Sequence, residues 1–185
     1  MIGIMSVGIL ILSLIVFGSL NTDFSFIDDF ISKLGAKGQP NAFLFNLIGF
    51  VAVGLLLFIF GWSYGRLKND RFLSILLSLF GLGFAFTAIP VDLEMENAPV
   101  SKAHIVAICL GLAFWMFGLS RMGYNPKLPQ RIRHRSNFTA AILMLAMMGF
   151  VLGFWSMPIT HRLVFGIVFG WTLYTSLELF NRRAA

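Results

Sequence analysis

The sequence predicts an all-α fold: a polytopic membrane protein forming a six-helix transmembrane bundle, one domain over residues 1–185. Three observations carry this. With 58% hydrophobic and 12% charged residues, the chain has more apolar surface than a soluble fold of its length can hide, whereas a bilayer solvates it directly. The apolar residues form continuous runs rather than alternating at every second position, so the spans are helices and not barrel strands. The charges gather in the connectors and at the span ends, and their balance differs from one side to the other.

The first run, residues 2–20, lacks a basic leader and a small-x-small cleavage site and reads as a retained span. Further runs follow at 43–64, 72–89, 103–120, 138–156 and 159–180. Each meets or approaches the roughly 20 residues that cross about 30 Å of hydrocarbon. In the first connector, "FSFIDDFISKLG", Phe24, Ile27, Phe30, Ile31 and Leu34 fall at helical spacing opposite Ser25, Asp28, Asp29, Ser32 and Lys33. Asp29 and Lys33 stand four apart in the favourable order, and Gly35 is a natural stop. This pattern predicts a short amphipathic helix on the outer membrane surface, serving as an anchor or a lid.

Orientation follows from the lysines and arginines. The second and fourth connectors and the tail hold ten of them (Arg66, Lys68, Arg71, Arg121, Lys127, Arg131, Arg133, Arg135, Arg182 and Arg183), against four on the other side (Lys33, Lys37, Lys102 and Arg162). Six of the eight acids share the side of the four. The bias predicts both termini in the cytoplasm, N-in and C-in. It also argues against a nucleic-acid partner, because the net charge of +6 is dispersed over short loops as a topology signal. Membrane lipids are the expected partners, with the fourth connector adhering to anionic headgroups. The single cysteine, Cys109, lies in an apolar run and cannot form an intrachain disulfide. Glycine pairs at Gly61/Gly65, Gly149/Gly153 and Gly166/Gly170 let helices approach closely. Packing within the chain is their first reading and a homo-oligomer through those faces the second.

The span centres carry no charge, which argues against a proton-coupled carrier. Their polar residues are Asn46, Ser74, Ser78, Thr172, Thr175 and Ser176, whose hydroxyls are expected to bond back to their own helices. Glu178 is within reach of Arg182, four residues on. Polar residues gather instead at the outer ends of the later spans. In "AIPVDLEMENAPVSKAH" (88–104), Asp92 follows Pro90 and His104 opens the fourth span behind a Ser101 cap. His161 and Arg162 open the sixth span just after Pro158. A neutral imidazole can act as a base, so Asp92 and His104 are the candidate catalytic pair. Arg162, Asp92, His104, His161 and Ser32 form the candidate ligand-binding set. The competing reading has Arg162 snorkelling to headgroups or pairing with Asp92 to pin two helices. Glu94 and Glu96 read as solvated loop charges and His134 as surface. There is no HxxxH, HExxH or Glu-x-x-His spacing, so neither a metal nor a cofactor is expected.

Three segments together resemble a known family. They are "FISKLGAKGQPNAFLFNLIGFVAVGLLLFIFG" (30–61), "FTAIPVDLEMENAPVSKAHIVA" (86–107) and "HRLVFGIVFGWTLYTSLEL" (161–179). Ile31, Ser32, Leu34, Gly35, Pro40, Phe45 and Asn46 match its first motif, and Pro90, Asp92 and His104 its second, with Ile89 in place of a Phe. Arg162 and Leu163 match its third. The chain thus resembles the bacterial and archaeal six-span integral membrane proteins of the domain of unknown function 998 family. The resemblance implies a multi-pass protein of the cell (inner) membrane and brings no assigned reaction. It singles out Ser32, Asp92, His104 and Arg162.

The leading expectation is an integral membrane protein that binds a lipid headgroup, an amphiphile or a membrane partner in an outward-facing polar pocket. In it, Arg162 would hold an anionic group that Asp92 and His104 orient. The alternatives are a lipid-directed hydrolase with His104 as base, and a transporter of a small hydrophobic molecule. The balance leans away from an enzyme.

Overall fold

The computed structural model describes residues 1–95 and 98–184, with side chains through Asn181. Glu96 and the side chains of Arg182 and Arg183 lie outside the described residues. Six long helices follow one another: α1 (Ile2–Leu20), α2 (Ala42–Leu67), α3 (Arg71–Phe86), α4 (Pro99–Tyr124), α5 (Gln130–Val151) and α6 (Met157–Ala184). Each packs on its sequence neighbours, and α6 returns onto α1, so the six close into a ring.

The ring is apolar outside and partly polar within. Along α1 the inward stripe is Gly3, Ser6, Val7, Leu10 and Ser13, at helical spacing. Its outward face is Met5, Ile11, Leu12, Ile15 and Val16, each 41–62% exposed. Water would penalise such a surface on every helix, whereas lipid tails do not. Four helices are long and apolar enough to cross a membrane: Ile2–Leu20, Ala42–Leu67, Pro99–Tyr124 and Met157–Asn181. At 16 residues α3 is shorter, and α5 spends its first turns on Arg131, Arg133 and Arg135.

The centre of the ring is filled by aromatic side chains. Trp115 meets Trp171 edge-on at 5.8 Å, Tyr64 meets Trp171 at 6.0 Å, and Phe84 meets Phe169 at 5.3 Å. Edge-to-face contacts of this kind add about 0.5–1.5 kcal/mol each beyond the area they bury. The gap they leave beside Leu57, Leu77 and Thr172 is too small for a water molecule.

The tightest helix pair is α2 on α3, and glycine makes it so. A Cβ on Gly61 would lie 2.5 Å from the Leu77 backbone, and one on Gly65 would lie 2.3 Å from the Ser74 nitrogen. The closeness puts α2 carbonyls within reach of α3 hydroxyls: Ser74 donates to Trp62 O and Ser78 to Phe58 O, each at 3.2 Å. The Ser78 bond crosses between helices, contrary to the expectation that the hydroxyls turn back on their own, while Ser74 also reaches back to Asp70 O at 3.4 Å. Thr172 does turn back, onto Val168 O at 2.9 Å.

Several expected boundaries move. The helix of span five begins at Gln130, because its basic turns find partners: Arg131 donates to Tyr174 at 2.7 Å and Arg135 to Glu178 at 2.6 Å. Glu178 is thus held by Arg135 of α5, while its expected partner, the Arg182 side chain, lies outside the described residues. The same helix stops at Val151, where Trp155 folds back over Gly149 and Gly153 takes φ 77°. The Gly149/Gly153 pair thus serves a turn rather than a helix contact. α4 starts at Pro99, which leaves Ser101 inside the helix rather than at its cap.

The amphipathic helix expected in the first connector is not formed. Only a 3₁₀ turn, Ile31–Gly35, is helical there. Side chains pre-empt the helical ladder upstream: Asp29 accepts the Ser25 N–H at 2.8 Å, and the Ser25 hydroxyl accepts the Asp28 N–H at 3.1 Å. Serine and aspartate compete with the backbone in this way. The expected Asp29–Lys33 pair is present at 2.7 Å.

Candidate functional site

The candidate residues lie at the end of the bundle formed by the first connector, the α3–α4 connector and the first turns of α4 and α6. The first connector is strapped across these helix ends at three points. On one side, Lys37 donates its backbone N–H to Val91 O at 2.9 Å and its ammonium to Asp92 at 3.1 Å. In the middle, Asn46 donates to Gly35 O at 2.8 Å, with no room for a Cβ on Gly35. Asn46 opens a π-helical stretch, Asn46–Ala52, that belongs to α2; such stretches recur at functional sites. On the other side stands Arg162. Its guanidinium donates to Phe26 O at 2.5 Å, Asp29 O at 2.8 Å, Ser25 O at 3.4 Å and, within its own helix, Pro158 O at 2.8 Å. Arg162 therefore grips backbone carbonyls rather than the Asp92 carboxylate that the competing reading offered it.

Asp92 is fully engaged. One oxygen takes Lys37, the other accepts the Glu94 and Met95 N–H groups at 3.2 and 3.1 Å, and its own N–H donates to the Ser101 hydroxyl at 3.0 Å. The Lys37 ammonium and those N–H groups hold the Asp92 carboxyl below the usual carboxylate range. Burial pushes Asp29 up, but the Lys33 ammonium and the Ser25 N–H outweigh it and leave that carboxyl low as well.

The two histidines are differently placed. His104 is 8% exposed and bonds the Ile89 carbonyl through Nδ1 at 3.0 Å. A carbonyl only accepts, so Nδ1 carries a proton. The Thr87 backbone also hydrogen-bonds the His104 ring. His161 lies edge-on to Phe30 of the first connector at 5.0 Å. The Ser32 hydroxyl, on the 3₁₀ turn, makes no hydrogen bond among the described residues.

The structure thus joins Asp92 to Lys37 and Ser101, and Arg162 to residues 25–29, through one loop. His104 hydrogen-bonds a carbonyl and not Asp92. Among the described residues no three His, Cys, Asp or Glu side chains come together as a metal site. Lys37 is the residue that sequence reasoning missed; a lysine on the side rich in acids was the available signal.

Fold and apolar exterior together define an all-helical membrane bundle with a polar, loop-covered end. The chain belongs to the family described as Protein of unknown function (DUF998), whose model matches residues 4–178. Neither the comparison with curated proteins nor that with solved structures finds a match.

Proposed function

We propose that this is a six-span protein of the cell membrane, with both termini in the cytoplasm, whose outward end binds the headgroup of a lipid or other amphiphile. The observation that carries the reading is the pair of imidazoles beneath the strap. The charged groups around them are paired, while the Ser32 hydroxyl makes no hydrogen bond among the described residues. A half-buried polar atom left open in this way is what a hydroxyl- or phosphate-bearing headgroup would satisfy. In this reading His104, His161 and Ser32 contact the ligand, and Arg162, Asp92 and Lys37 shape the loop over it. The ten-to-four bias of basic residues supports the orientation.

Binding is favoured over hydrolysis because the Asp92 carboxylate, which would orient a catalytic histidine, is held by Lys37. It is favoured over transport because aromatic rings fill the centre of the ring. The test is mass spectrometry of lipids copurifying with the wild type and with a His104→Ala/His161→Ala variant. The proposal expects one lipid class to fall several-fold in the variant at unchanged melting temperature. An unchanged lipid profile refutes it.

A further inference from the structure

The opposite end of the bundle carries a second feature, on its flank between α5 and α6. A lateral groove of about 670 Å³ opens there, walled by Phe138, Ile142 and Ile167 and reaching Trp171 at its depth. Its floor is Gly166 and Gly170. A Cβ on either would meet nothing within 4 Å, whereas Gly54, Gly61, Gly65 and Gly81 each face backbone of the neighbouring helix. The first two glycines keep a channel open rather than bringing helices together.

The groove has a charged mouth. Arg131, His134 and Arg135 line it, one turn or less apart on α5. Arg131 gives one nitrogen to the Tyr174 hydroxyl, and Arg135 gives Nη1 to Glu178 while lying over the Tyr174 ring. Neither guanidinium is used up, since each has five N–H donors; the buried Arg135 Nε has no partner. A buried donor without an acceptor marks a site for an oxygen the protein does not supply. At its depth the groove meets Trp171, 5% exposed, whose ring belongs to the aromatic centre of the bundle.

We infer that this groove holds one anionic phospholipid, with an acyl chain along Gly166 and Gly170 and its phosphate between Arg131 and Arg135. Charge complementarity selects the occupant: the mouth is cationic and the body apolar, which is the polarity of a phosphodiester lipid and not of a neutral helix. Guanidinium pairs suit phosphate oxygens in two-point contact, and basic pockets between membrane helices are recognised headgroup sites. The volume falls within the range of ordinary ligand sites. The inference rests on the bundle lying in a bilayer and not on the outer imidazole site, so the two stand or fall separately.

The experiment uses the full chain in phosphatidylcholine vesicles doped with brominated phosphatidylglycerol or, as the control, brominated phosphatidylcholine. In a Trp62→Phe/Trp155→Phe background, which removes the tryptophans outside the aromatic centre, quenching reports lipid beside Trp171 at the groove. The expected result is a preference for the anionic lipid of at least tenfold in apparent affinity. Arg131→Gln should reduce it several-fold. Gly166→Leu/Gly170→Leu, which fills open space and leaves every charge in place, should abolish it at unchanged melting temperature. His104→Ala/His161→Ala should leave it intact. Equal quenching by both lipids overturns the proposal, as does a preference that survives the double leucine variant. Loss of a dimer in that variant, without change in quenching, would assign the groove to a second copy of the chain instead.

Discussion

Arg162→Lys separates a guanidinium clasp from a mere positive charge. Three of the four carbonyls that Arg162 reaches, those of Ser25, Phe26 and Asp29, belong to the first connector. A lysine ammonium is a point charge on a flexible stem and cannot meet three separated acceptors at once. Hydrogen bonds from charged donors contribute about 1.5–3 kcal/mol and neutral ones about 0.5–1.5 kcal/mol. The 3.4 Å contact to Ser25 is long and the site half-exposed, which moves the estimate to the lower range. Two good bonds at about 1 kcal/mol each then give ~2 kcal/mol for closing the connector. That is roughly a 30-fold change in its open population, at about 1.4 kcal/mol per decade. Amide hydrogen exchange with mass spectrometry reads it directly. Peptides covering residues 25–33 should exchange about 30-fold faster in the variant, while those of α2 and α3 keep wild-type rates. Unchanged exchange in the connector refutes the clasp. Equal acceleration throughout the bundle would show that Arg162 supports the whole fold instead.

Three further outcomes follow from the geometry. Asp70 caps α3 through the Leu73 N–H at 3.0 Å and accepts Arg121 at 2.8 Å, with its side chain 4% exposed and that of Arg121 43%. Asp70→Ala should therefore cost about 1–2 kcal/mol and Asp70→Asn, which keeps a good cap, about half of that; equal losses in denaturant titrations would remove the cap from the account. Gly65→Leu should destabilise by about 1–3 kcal/mol through overpacking against Ser74, read as a lower melting temperature, whereas Gly8→Leu, with nothing within 4 Å, should be neutral. Asp92 and Asp29 both have folded pKa values below the unfolded value of about 3.9. Their contribution to the strap is thus present above about pH 4 and lost as pH falls through their depressed values. Exchange of the first connector should stay flat from about pH 5 to 8 once corrected for intrinsic rates and rise below about pH 4; a rise beginning near pH 6 would point to a histidine instead.

Sequence periodicity located the helices well because the apolar runs and the bundle obey the same constraint, burial of backbone polar groups in hydrocarbon. Span one matches to the residue, Ile2–Leu20. What periodicity could not locate were places where polar side chains choose between water, backbone and each other. The start of α5 moved because Arg131 and Arg135 have partners on α6, and contacts with α6 cannot be inferred from α5 alone. Of the five apolar residues expected on one face of residues 24–34, Phe24, Ile31 and Leu34 are buried in the bundle, while Ile27 and Phe30 stay exposed. The helix still did not form, since Ser25, Asp28 and Asp29 offered the backbone local partners. At the loop-covered end, sequence reasoning placed Asp92, His104, His161 and Arg162 on one side of the bundle. It could not foresee that Lys37 would take Asp92 and that backbone carbonyls would take Arg162. Carbonyl acceptors are present at every residue and leave no mark in the sequence.

The length of α3 bears on the membrane around the protein. Sixteen residues rise about 24 Å, short of a hydrocarbon core of about 30 Å. If α3 crosses the bilayer, lipids along that flank must thin by several ångströms to meet its ends, while those beside the 26-residue α4 need not. Asp70 and Arg71 at the head of α3, with Arg121 and Lys127 beside them, would draw headgroups inward there. The bundle would then impose a thickness gradient on the lipid annulus and partition toward thinner membranes, a sorting preference set by one short helix and independent of any ligand.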